Sequence, residues 1–192
     1  MNALRPYGPL AVWAALMILL QWVGPEALRY DPQAIRDGEL WRLLTGHLVH
    51  ANGRHLLLNL AGLFLCQALT GVNWSLLQWS GRILLLALMI SLGLWWLHPG
   101  LRWYVGFSGV LFGLYLMAAV ESLPRQTLIS SLLVLLLLVK ILMEQFSSVK
   151  ISSSGWIGVP VLVDAHLYGF LSGLLLLLAV QAGSWFTHTE SS

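Results

Sequence analysis

The chain has 192 residues, 58% of them apolar and only 9% charged, and a mean hydropathy of +0.78. Soluble domains carry about 25% charged residues, so a water-solvated fold is excluded and the bilayer is the solvent. A net charge of +2 with no basic cluster excludes a nucleic-acid surface, and a single cysteine, Cys66, excludes an intrachain disulfide and a cysteine-rich zinc site.

Apolar runs at residues 9–23, 43–69, 82–97, 105–123, 126–143 and 160–182 predict six helices in one all-α membrane domain over residues 1–192. Several runs are nearer ~15 residues than the ~20 of an ordinary span, which implies flanking residues drawn into the interface or a thinned bilayer. Ten tryptophans suit that interface. The first run resembles a signal-peptide core, but further runs follow it, so it is read as an uncleaved first span.

The first connection, GPEALRYDPQAIRDGELWR, contains Glu26, Asp31, Asp37 and Glu39 and is long enough to hold structure of its own. The fifth, SSVKISSSGWIGVP, has the Ser- and Gly-rich composition of a mobile cover. Arg29, Arg36, Arg42, Arg102 and Lys150 share one side against Arg5, Arg82 and Arg125, a bias that by itself puts the first connection in the cytoplasm. No inverted repeat of the transporter kind is visible.

Ionisable and polar side chains inside spans are costly and mark candidate sites. In the second run, His55 and Asn59 are spaced i,i+4 and share a face. An amide facing lipid would be stranded, so this face points into the bundle, as interhelical glue or as part of a site. The stretch YVGFSGVLFG places Ser108 between Gly106 and Gly109 where an apolar helix begins. A serine there reads as a helix cap or as a nucleophile whose developing charge meets free N–H groups.

In the sixth run His166, Gly169 and Gly173 lie at i, i+3 and i+7 on one face. Their glycines and the pair Gly109 and Gly113 form two strips that let membrane helices pack closely, which would bring His166 towards Ser108. A histidine can serve as base and then acid at neutral pH. Asp164 is two residues from His166 and points ~200° away on a helix, so a Ser-His dyad is expected rather than a Ser-His-Asp triad. The oxyanion donors available to it are His55, Asn59 and the Ser108 N–H. His47, His50 and His55 lack the carboxylate partners a metal site needs. Lys140 and Glu144, at i,i+4, read as a structural pair near the end of the fifth helix, able to position it as a gate.

Taken together, Trp41-Arg42, the H-xxx-N of His55 and Asn59, the G-x-S-G of Gly106 to Gly109 and the H-xx-G-xxx-G of His166, Gly169 and Gly173 resemble the rhomboid family of intramembrane serine proteases. The resemblance covers essentially the whole chain. It implies the minimal six-helix bundle with Ser108 opening the fourth helix, a Ser108/His166 dyad, oxyanion stabilisation by His55, Asn59 and the Ser108 N–H, and no metal or cofactor. It also implies a cavity open to the outer face and a gate made by the fifth helix and its following loop. The expected partners are transmembrane protein substrates in the lipid bilayer. The expected location is the bacterial inner membrane with the site facing the periplasm, against the Lys/Arg count.

Within the family, RLLTGHLVH, LVKILMEQ and VDAHLYGFLSG look most like rhombosortases, which implies removal of Gly-Gly C-terminal sorting signals. Phe112, four residues after Ser108, stands where many rhomboids have a tyrosine stacked on the catalytic histidine. It keeps the stacking face and loses the hydroxyl, so activity is expected to survive.

Overall fold

The computed structural model describes residues 5–146, 154–158 and 160–189. Lys150 and residues 147–153 of the Ser- and Gly-rich connection lie outside the described residues. Six helices of fifteen residues or more form the described bundle: α1 (Gly8–Val23), α2 (Gly53–Thr70), α3 (Leu76–Leu97), α4 (Ser108–Ser122), α5 (Thr127–Phe146) and α6 (Asp164–Thr189). Four segments, Arg5–Val23, Leu76–Leu97, Thr127–Phe146 and Asp164–Gln181, are long and apolar enough to cross a membrane.

The helix starts depart from the apolar runs, each for a local reason. The run 43–69 is broken into Arg42–Thr45 and α2. At Gly46 a side chain would strike the backbone of Tyr30, and α2 begins only where the Asn52 side chain accepts from the His55 N–H at 3.0 Å. Helix α3 begins at Leu76 instead of 82, because Ser75 and Gln78 form a reciprocal capping box. Helix α4 begins at Ser108 instead of 105, because Gly106 has φ +126°, outside the helical region. Helix α6 begins at Asp164 and runs past 182 to Thr189.

Helix α4 is the central element, with ten of its fifteen residues buried. Helix α5 is the opposite case, since Ser130 and Ile141 are its buried residues. Fifteen residues span about 22 Å, well short of the ~30 Å hydrocarbon core. The chain before α4 therefore reaches into the bundle as irregular backbone, which a membrane tolerates only where protein or a water-filled cavity surrounds it.

Here that backbone is pinned by the first connection. Tyr30 and Tyr104 exchange N–H···O=C bonds of 3.0 and 2.9 Å, and the Gly106 N–H donates to the Gly46 carbonyl at 3.1 Å. The first connection is held in turn by Arg42, which is buried and donates to the Glu39 carboxylate at 2.6 Å and to the carbonyls of Glu26 and Arg29 at 3.1 and 3.0 Å. Cys66 is buried in the core beside Leu63.

Between Thr45 and Gly53 the chain carries two fully buried histidines. His47 Nε2 lies 2.9 Å from the Ser91 hydroxyl, and His50 exchanges backbone bonds of 2.9 Å with the Gln21 side chain. Burial pushes both imidazoles down to about 3, with the charge of His55 adding to the effect at His50. The unfolded chain takes up these protons as pH falls below about 6.5 while the folded protein does not, so stability is fully present above that pH and declines below it. The thermal midpoint in detergent is expected to fall between about pH 7.5 and about pH 5. A midpoint constant over that window would show both rings to be solvated.

Candidate active site

Ser108 is the first residue of α4, and Phe107 occupies the cap position with no side-chain cap bond. The Ser108 hydroxyl is instead engaged across the bundle, with Oγ 2.9 Å from Nε2 of His166. The cap alternative for Ser108 is thereby set aside. His166 lies in the first turn of α6, buried, its ring stacked on Phe112 at 4.4 Å between centroids and 5° between planes.

The two helices that carry these residues touch backbone to backbone. A Cβ at Gly169 would fall on the Gly109 carbonyl, one at Gly113 would lie 2.7 Å from the Gly169 carbonyl oxygen, and one at Gly173 would lie 2.9 Å from that of Gly113. These glycines thus set the α4–α6 separation across which Ser108 meets His166. Gly106 serves differently: besides its positive φ, a Cβ there would lie 2.7 Å from the His55 ring, so glycine lets His55 pack directly against the residues that lead into Ser108.

His55 and Ser108 both line a cavity of about 290 Å³ walled by Leu101, Trp103, Tyr104 and Leu162. The first N–H groups of a helix have no intrahelical partner, so the start of α4 offers donors beside the Ser108 hydroxyl. Asn59 is buried one turn beyond His55, and its amide Nδ2 donates to the His55 carbonyl at 3.0 Å. His50 meets His55 edge to face at 5.0 Å. Among the described residues no group of three or more His, Cys, Asp or Glu is arranged to hold a metal ion.

Two carboxylates approach this region. Asp164 is turned away, with Oδ2 3.3 Å from Nε2 of His98. Glu144 on α5 is not: its Oε2 lies 2.8 Å from Nδ1 of His166, and its Oε1 accepts from Lys140 Nζ. The sequence reading stops at the Lys140/Glu144 pair and misses the contact to His166. A carboxylate inside an apolar helix is costly, but the i,i+4 lysine already answers that cost, so nothing in the sequence points from Glu144 to His166.

A second, apolar cavity of about 250 Å³ between α4 and α5 is lined by Ser108, Phe112, Tyr115, Leu133, Leu136 and Lys140, so the serine is reached from two directions.

The family model described as "Rhomboid domain" matches residues 37–182. The "Putative rhomboid protease YdcA" of Bacillus subtilis (strain 168) is 31% identical over 156 residues, which covers 77% of this chain and 71% of that protein. With that match across most of the chain, this protein belongs to the rhomboid family.

Proposed function

We propose that the protein is an intramembrane serine endopeptidase in which all six long helices cross the bilayer as one unit, Ser108 is the nucleophile and His166 is its general base. The observation that carries this reading is the 2.9 Å approach of Ser108 Oγ to His166 Nε2 on a cavity shared with His55. In the first step the Ser108 proton passes to Nε2 while Oγ bonds to the substrate carbonyl carbon. The negative charge on the carbonyl oxygen is met by the N–H groups at the start of α4 and by His55, with Asn59 assisting from the next turn.

His166 then gives its proton to the leaving nitrogen as the C–N bond breaks. The neutral ring then takes a proton from water as the water oxygen bonds to the acyl carbon, and gives that proton to Oγ as the C–Oγ bond breaks.

The natural substrate on this reading is a membrane protein ending in a Gly-Gly sorting signal. The α5 segment LVKILMEQ and the α6 segment VDAHLYGFLSG support it, and glycine is a poor helix former that exposes the scissile carbonyl. The enzyme sits in a bacterial inner membrane with the first connection in the periplasm. That orientation follows the resemblance to the rhomboid family and runs against the count of Lys and Arg in the connections.

A fluorophosphonate probe on the purified protein in detergent should form one adduct, which peptide mapping places at Ser108. No adduct, or one at another residue, overturns the serine assignment. Co-expression with a secreted Gly-Gly reporter should give cleavage at the signal. An intact reporter beside a cleaved ordinary rhomboid substrate leaves the general protease standing and removes the Gly-Gly specificity.

A further inference from the structure

We infer that Glu144 is a positioning residue for His166, completing a Ser108–His166–Glu144 triad whose third member is carried by α5. The inference rests on the serine chemistry proposed above. The side chains of Glu144 and His166 are 3% and 5% exposed, although the Glu144 residue as a whole is only partly buried, and Oε2 and Nδ1 are 2.8 Å apart. A carboxylate only accepts, so its bond to the ring fixes the proton on Nδ1 and turns the lone pair of Nε2 towards Ser108. Lys140 donates to the other oxygen of Glu144, which leaves Oε2 to accept from the ring.

When Nε2 takes the Ser108 proton, the ring becomes a cation with Nδ1–H still directed at Glu144. No proton moves to the carboxylate, whose charge stabilises the imidazolium. Phe112 closes one face of the ring. Among the described residues, Ser108 on α4 and Glu144 on α5 bond to the ring and His55 on α2 acts on it through its charge, while Asp164 is occupied by His98, the residue that caps the end of α3. Glu144 is therefore the carboxylate placed to set the tautomer.

The placement has a mechanical consequence. Because Ser130 and Ile141 are the buried residues of α5, the Glu144–His166 bond ties a lightly packed helix to the start of α6. A displacement of α5 that lengthens this bond also frees the ring, so seating of α5 and readiness of the base are one event.

The test measures fluorophosphonate labelling rate at Ser108, kcat and KM for a membrane substrate, and thermal midpoint, in wild type, Glu144→Gln and Glu144→Asp. Glutamine can donate to Nδ1 and impose the wrong tautomer, so labelling rate and kcat should fall by about 100-fold or more with KM within about twofold, and aspartate should recover at least about tenfold over glutamine. A folded glutamine variant that labels within about threefold of wild type, or one whose KM rises at constant kcat, overturns the inference. If glutamine alone does not fold, Lys140→Met/Glu144→Gln removes the charge pair together and is judged by the same limits. Wild type that fails to label at Ser108 refutes the serine reading itself, an outcome distinct from equal labelling of wild type and variant.

Discussion

Ser108→Ala should abolish cleavage, by on the order of a hundred-thousand-fold or more, and adding His166→Ala to it should cost almost nothing further. On the proposed mechanism nucleophile and base act as a unit: once either is gone, the other has no reacting partner, and their losses do not sum. The stability cost should be small for the serine, within about 1 kcal/mol, because its hydroxyl bonds to His166 and does not cap α4. The histidine variant should be less stable than the serine variant, since it loses the Phe112 stack and leaves the Glu144 carboxylate with Lys140 as its described partner. Cleavage by purified variants and their thermal midpoints check both statements. A double variant much slower than either single one would mean that the two residues act on separate steps.

The parts of the site legible in the sequence are those set by spacing along one helix. His55 with Asn59, the Gly109/Gly113 strip, and His166 with Gly169 and Gly173 each follow from 3.6 residues per turn. The geometry of Asp164 relative to His166 follows from the same arithmetic, and the structure finds its carboxylate on His98. Glu144 was not legible, because on its own helix it already has an i,i+4 partner in Lys140 and looks satisfied. Its second bond crosses from α5 to α6, and no local rule places residue 144 beside residue 166.

The fold divides in the same way. Hydropathy marks the apolar runs that become α1, α3, α5 and α6, since a bilayer demands long uninterrupted stretches. It does not mark where helices start, because a cap is a matter of one side chain and its geometry. Asn52 starts α2 inside an apolar run, Ser75 and Gln78 start α3 before the run begins, and Gly106 delays α4. The delay at Gly106 puts Ser108 in the first turn, where the backbone N–H groups have no intrahelical partner.

Gly169→Val is expected to be the most damaging single substitution in the α4–α6 interface. Its Cβ would fall on the Gly109 carbonyl group, a backbone target that no rotamer change relieves. The helices must separate, and overpacking of this kind costs about 3 kcal/mol or more when backbone has to move. The same movement breaks catalysis, because Ser108 adjoins Gly109 and His166 lies one turn before Gly169, so their 2.9 Å bond spans the separation that the valine enlarges. A misplacement of about 1 Å in a reacting pair costs on the order of 100-fold in rate. Gly173→Ala should do less of both, since its Cβ would sit 2.9 Å from the Gly113 carbonyl oxygen and further from the reacting pair. Thermal midpoint and fluorophosphonate labelling rate should therefore fall in the order wild type, Gly173→Ala, Gly169→Val. If the valine variant kept both wild-type values, the two helices would not be packed through these glycines, and the approach of His166 to Ser108 would need another cause.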